Sequence, residues 1–198
     1  MMKILLIIGV ALFYGVIGVY RLLWLYKKTG VNPLKLKSDG SIQSINKQVF
    51  ALLILFDLLV VILFCLGNSF YQYTSPIQFL NTHTWLKIAG VVLSAIAFIW
   101  IVIAQSNMKT SWRIGIDNEE KTALIKTGFF RYSRNPVFFG LVVSAVGFFL
   151  ILPNAITLCI TILCSYSISV QIRLEEQYLE SKHKEEYLDY KRAVRRWV

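Results

Sequence analysis

Apolar and polar residues in this chain are sorted into long blocks. Nearly uninterrupted apolar runs cover about Ile4 to Trp24, Val49 to Leu66, Trp85 to Ala104, Pro136 to Leu152 and Ala155 to Val170. Each is near the roughly 20 residues that a helix needs to cross a bilayer, so the pattern predicts five transmembrane helices. The first run outlasts the apolar region of a secretory signal and lacks a small-residue cleavage site, so it reads as a span. Only Pro153-Asn154 separates the last two runs, which forces them into an antiparallel hairpin. Past Val170 the chain keeps a helical spacing but turns polar, with Arg173, Glu176 and Glu180 sharing a face. Tyr187, Tyr190 and Val194 then recur among basic residues, as in an amphipathic helix lying on headgroups. The expected fold is all-α integral membrane: five transmembrane helices with a cytoplasmic C-terminal amphipathic helix. Residues 1–198 read as a single membrane domain, a three-span part (1–104) followed by a polar loop, the hairpin and the tail (105–198).

Composition agrees. The chain is 56% hydrophobic with a mean hydropathy of +0.58, too apolar for a soluble domain. Its 21 Lys and Arg against 11 Asp and Glu leave a net charge of +10. In a membrane protein that excess reflects loop topology and anionic headgroups, so no nucleic-acid partner is expected. The basic residues cluster after the first span (Arg21, Lys27, Lys28, Lys35, Lys37, Lys47), after the third (Lys109, Arg113, Lys121, Lys126, Arg131, Arg134) and in the tail (from Arg173 to Arg196). The other side holds little more than Lys3 and Lys87. Five alternating spans then place the N-terminus outside and the C-terminus in the cytoplasm. Cys65, Cys159 and Cys164 lie in or at the ends of apolar runs without metal-ligand spacing, and read as reduced structural thiols.

Polar residues inside the spans need separate weighing. Asp57 sits near the middle of the second run, where it either lines a cavity or is held by hydrogen bonds as a structural group. Gly140, Ser144 and Gly147 put small groups on one face of the fourth span, a pattern for close helix packing. Thr157, Thr161, Ser165, Ser169 and Arg173 recur every four residues along the fifth, and the hydroxyls are expected to bond back to preceding carbonyls.

Candidate chemistry lies at the entry to the fourth span. Thr127 to Gly140 joins a basic, aromatic loop to an apolar helix that starts at Pro136, and proline suits a first helical position. The free N–H groups and positive dipole end of that helix lie beside Arg134 and Asn135, a place for a carboxylate. The adjacent Glu175 and Glu176, at the end of the fifth span on the same face of the membrane, gain nothing from anionic lipid and suit a cationic ligand instead.

Together these pieces resemble a known family. Arg134-Asn135-Pro136-x-Phe138-x-Gly140 and Glu175-Glu176-x-x-Leu179, followed by Tyr187-x-x-Tyr190 and Val194-x-Arg196, look like the isoprenylcysteine carboxyl methyltransferase family. Membrane phospholipid N-methyltransferases resemble the Arg-Asn-Pro and Glu-Glu parts, and Ser111 to Ile116 is similar to a loop of bacterial members. The resemblance covers about Gln105 to Trp197. It implies S-adenosylmethionine as methyl donor, with the Leu124-Ile125 backbone and Phe130 flanking the adenosine. Arg134 and Asn135, with the helix start at Pro136, would hold the donor's carboxylate. Glu175 and Glu176 would receive its amino group or ribose, and Arg173 would face the methyl acceptor. The catalytic candidates are thus Arg173 and Glu176. The acceptor implied is lipid-like, including a prenylcysteine carboxylate, entering from the bilayer, and no metal is required. Two other readings are a nicotinamide-dependent membrane reductase and a small non-catalytic membrane protein or transporter subunit. The first would want more arginine in the loop, and the second leaves the Glu pair and the Asn-Pro entry unexplained.

Overall fold

The apolar blocks are helices in the computed structural model, which describes residues 2–30, 40–67, 71–72, 83–109 and 124–198. Helix α1 spans Met2–Thr29, α2 Ile42–Leu66, α3 Thr84–Asn107, α4 Pro136–Ile151, α5 Ala155–His183 and α6 Glu185–Ala193. Four of them, α1, α2, α3 and α5, are long and apolar enough to cross a membrane. The apolar α4 has 16 residues and so rises only about 24 Å. The Ser111–Ile116 stretch lies outside the described residues.

Contacts between helix ends give the arrangement. Lys3 Nζ donates to Cys65 O at 2.9 Å, placing the start of α1 beside the end of α2. Asn46, early in α2, meets Ser167 and Gln171 late in α5. Gly90, early in α3, lies against Gly147, late in α4. Successive helices therefore alternate in direction, and the polar segments before α4 and after Val170 gather at one end. At that end Arg21 Nη2 of α1 donates to the Gln105 and Lys109 carbonyls at 2.7 Å each, occupying acceptors that α3 leaves over as it ends. Gln105 Nε2 returns a bond to Ile17 O at 3.2 Å, within the π-helical turn Gly15–Tyr20 of α1.

Helix packing in lipid depends on close backbone approach. A Cβ on Gly90 would come within 2.7 Å of Gly147 O, and one on Gly147 within 3.0 Å of Gly90 O and into Ser94 Oγ. Gly140 is likewise filled against Ile101. The small-residue face of α4 is a packing face, as expected. The hydroxyls of α5 also behave as expected, since Thr161, Ser165 and Ser169 donate to the carbonyls four residues back at 2.7–2.8 Å. Thr157 has an added task. Its N–H donates to Asn154 Oδ1 at 2.9 Å and its hydroxyl accepts the Asn154 N–H at 3.2 Å, a capping box at the buried turn into α5. Asp57 takes the hydrogen-bonded role, accepting from Tyr14 Oη at 2.9 Å and tying α1 to α2.

Beyond Val170, α5 continues unbroken to His183. The chain then reverses at Lys184, whose φ of +47° is left-handed, and α6 folds back on α5.

Candidate functional site

The loop before α4 is shaped by its own residues. Leu124 to Lys126 have no regular secondary structure, and Gly128, at φ +63°, turns the chain into a short 3-10 helix, Gly128–Arg131. A side chain there would also strike Asn107, at the end of α3. Phe129 stacks on Trp100 of α3 with ring centroids 4.1 Å apart, and Trp100 Nε1 donates to Pro136 O at 2.8 Å. Trp100 thereby fixes both the loop and the first turn of α4. Phe130 is buried, and its carbonyl accepts from Tyr190 Oη of α6 at 2.7 Å.

Residues 133–135 then run alongside residues 195–196. Ser133 and Arg195 form a parallel bridge. Arg134 N–H donates to Arg195 O at 2.9 Å, while Ser133 Oγ and Asn135 Nδ2 both donate to Arg196 O at 3.3 Å. Asn135 does not cap α4 with its side chain, and Pro136 opens the helix. The first intrahelical bond is Phe139 N–H to Asn135 O, so the Val137 and Phe138 N–H groups precede it.

Glu176 is the centre of this end of the molecule. Arg134 donates to its Oε1 from Nε at 3.3 Å and from Nη2 at 3.1 Å. Arg196 donates to Oε1 at 3.2 Å and to Oε2 at 2.6 Å. The Arg134 and Glu176 side chains are 9% and 7% exposed, against 41% for Arg196. Arg134 Nη1 completes its set on the Lys191 and Val194 carbonyls. Pairing with Glu176 raises the Arg196 guanidinium above its ordinary pKa. Burial, reinforced by the Glu176 charge, pushes the Tyr187 phenol up to about 12, and burial also raises Tyr190, so both stay neutral. At the rim, Lys126 Nζ pairs with Glu186 at 2.8 Å.

The two sequence motifs are therefore one structural unit. Arg134 and Glu176 touch, and Asn135 and Pro136 adjoin them. Phe130 is joined to the same unit through Tyr190, and Leu124 and Ile125 are half-buried upstream of it. Glu175 diverges from its neighbour: it accepts one hydrogen bond, from Gln171 Nε2 at 3.2 Å, on a polar chain that leads to Asn46 of α2. Arg173 is exposed and makes no hydrogen bond or ion pair with the described residues. Sequence reasoning missed Trp100, Asn46 and Gln171. Trp100 resembles any aromatic residue at a membrane interface. The one usable signal for the amides was that Asn46 and Gln171 flank apolar runs from opposite directions.

This end of the helical bundle thus gathers two guanidinium groups, a buried carboxylate and an uncapped helix start. The model of the isoprenylcysteine carboxyl methyltransferase (ICMT) family matches residues 85–181, which contain α3, the loop, α4 and most of α5. Over that stretch, just under half of its length, the chain is similar to this methyltransferase family. It is also 29% identical over 187 residues to the protein-S-isoprenylcysteine O-methyltransferase of Saccharomyces cerevisiae, covering 92% of this chain and 76% of that protein. No solved structure matches the chain significantly.

Proposed function

We propose that the protein transfers a methyl group from S-adenosylmethionine to the carboxylate of a prenylated cysteine. In this reading it is a five-span membrane protein with its N-terminus outside and α6 and the site on the cytoplasmic face. The observation that carries the reading is the Arg134–Glu176–Arg196 network, which joins the loop before α4 to the polar half of α5 at one end of the bundle.

The residues fit the donor. Its carboxylate would meet Asn135 and Arg134 and the uncapped start of α4 at Pro136, where N–H groups and the dipole favour an anion. Its amino group or ribose would meet Glu175 and Glu176, and its adenosine would lie along the Leu124-Ile125 backbone and Phe130. Arg173, which makes no hydrogen bond or ion pair with the described residues, would face the acceptor. The donor supplies an electrophilic methyl group on a sulfonium, which aromatic faces and carboxylates attract. An acceptor carboxylate oxygen forms the new bond to the methyl carbon as the carbon–sulfur bond breaks, with the electron pair leaving on sulfur. No proton moves, so the protein's tasks are alignment and exclusion of water.

Equilibrium binding of S-adenosylmethionine to the detergent-solubilised protein, paired with labelled methyl transfer to an N-acylated S-prenylcysteine, tests this. We expect saturable binding, weakened roughly ten- to a hundredfold by Asn135→Ala or Glu176→Gln, the usual cost of an unpaired buried polar group. Arg173→Ala should instead mainly slow turnover. Transfer to phospholipid amines but not to the prenylcysteine would overturn the acceptor, and absence of donor binding would overturn the whole reading. Thiol labelling that places a cysteine at Ser106 outside the cell would overturn the orientation.

A further inference from the structure

The polar chain that ends on Glu175 begins outside the family match, on α2. Ser167 Oγ donates to Asn46 Oδ1 at 2.8 Å, and Asn46 Nδ2 donates to Ser167 O at 3.1 Å and Gln171 Oε1 at 3.3 Å. Gln171 Nε2 then donates to Glu175 Oε1 at 3.2 Å. From Ser167 to Glu175 this ladder climbs about 12 Å along α5 toward the site. One turn before Asn46, the Gln43 Nε2 donor is buried and has no hydrogen-bond partner among the described residues. A buried amide without a partner is costly, which makes this donor a candidate for a ligand's acceptor atom.

In the other direction the same seam becomes apolar. An open groove of about 430 Å³ runs between α2 and α5, lined among others by Leu52, Leu53, Phe56, Cys159, Ile160 and Leu163. Val49, which also lines it, is one turn beyond Asn46, so the groove starts where the ladder begins. A trough between two helices takes a single chain, and the groups at its polar end are uncharged amides and a carboxylate on which the Lys47 charge also acts. Amides suit a head bearing an amide N–H and carbonyl, and the lysine suits its carboxylate. The two-chain phospholipid does not match the single trough.

We propose that the α2–α5 seam is the acceptor's track: the prenyl tail lies in the groove, and Gln43, Asn46 and Gln171 position the amide-bearing head beside Glu175. The assignment rests on the methyl-transfer reading above and adds to it specificity residues on α2, upstream of the matched stretch 85–181.

The test uses the full chain in phosphatidylcholine nanodiscs and an N-acylated S-prenylcysteine with a photoreactive group at the far end of its tail. Crosslinks should map to peptides holding Leu52–Phe56 and Cys159–Leu163 and be competed by the unlabelled compound. Gln43→Leu and Asn46→Leu should each raise the acceptor KM about tenfold while kcat changes less and the S-adenosylmethionine Kd stays within twofold. Leu52→Trp, which fills the trough without touching the ladder, should raise KM alone. Competed crosslinks elsewhere, label spread evenly over all lipid-facing helices, or unchanged KM in a wild-type-like turnover assay would overturn the seam assignment while leaving methyl transfer intact. Failure of the wild-type protein to methylate or bind any prenylcysteine would overturn both.

Discussion

Glu176→Gln isolates the charge at the centre of the candidate site. The substitution keeps the shape and one acceptor oxygen but removes the negative charge that faces two guanidinium groups. Arg134 is the sensitive partner, because its side chain is 9% exposed and would keep the Lys191 and Val194 carbonyls and one neutral amide oxygen in place of a carboxylate. Breaking a buried pair from one side costs about 3–5 kcal/mol, and the retained amide oxygen places this case at the lower end, about 3 kcal/mol. Arg196 is 41% exposed, so losing its own bond should cost less than about 1 kcal/mol. The segment 194–196 is held to 133–135 largely through this network, so the loss should appear there first. Hydrogen exchange of the Arg134 amide, which is bonded to Arg195 O, reads it directly. We expect protection to fall roughly a hundredfold in Glu176→Gln, and less than tenfold in Arg196→Gln. Equal effects of the two substitutions, or unchanged protection in Glu176→Gln, would refute the assignment of the buried Arg134–Glu176 contact as the dominant one.

Gly147→Ala should lower thermal stability in detergent by about 1–3 kcal/mol, because its methyl would meet Ser94 Oγ and the Gly90 carbonyl. Lys184→Gly should stabilise the protein by about 1 kcal/mol by removing a side chain from a left-handed backbone, read as a higher Tm. Asp57→Asn keeps an acceptor for Tyr14 and lies away from the site, so donor Kd should stay within twofold; a larger loss would mean that the pocket reaches that depth. The hydrogen bond and charge of Lys126 hold the Glu186 carboxyl below the usual carboxylate range. A depressed folded-state pKa means that this link is complete above the ordinary glutamate value and is lost as pH falls through the depressed one. Exchange at Leu124–Lys126 should rise over that acidic window in wild type, and Glu186→Gln should abolish the change.

The apolar helices were legible because hydrophobic blocks of this length have few alternative folds, although four of the five expected spans, and not α4, are long enough to cross a membrane. The hairpin at Pro153-Asn154, the packing face of α4 and the back-bonded hydroxyls of α5 were legible for the same reason, since each follows from local spacing. The meeting of Arg134 with Glu176 was foreseen as a shared pocket, yet their direct contact was not. A charge that awaits a ligand and one that pairs with its own chain look alike in sequence. The contribution of residues 191–196 was harder still, because Lys191, Val194, Arg195 and Arg196 all offer main-chain carbonyls to the site, and a carbonyl leaves no mark on residue identity. Asn46 and Gln171 acquire meaning only when α2 and α5 lie side by side, which depends on the tertiary arrangement.

The separation of Arg134 from Val194, 60 positions along the chain, also has a consequence in time. At a synthesis rate of about 5–20 residues per second, roughly 3–12 s pass between the emergence of the arginine and that of the carbonyl that completes its hydrogen bonds. Helix α4 and the apolar part of α5 are made within that interval, so the bundle can insert before its charged end is assembled. During biosynthesis the candidate site is therefore a late product: a chain can have all of its long apolar helices made and still lack it.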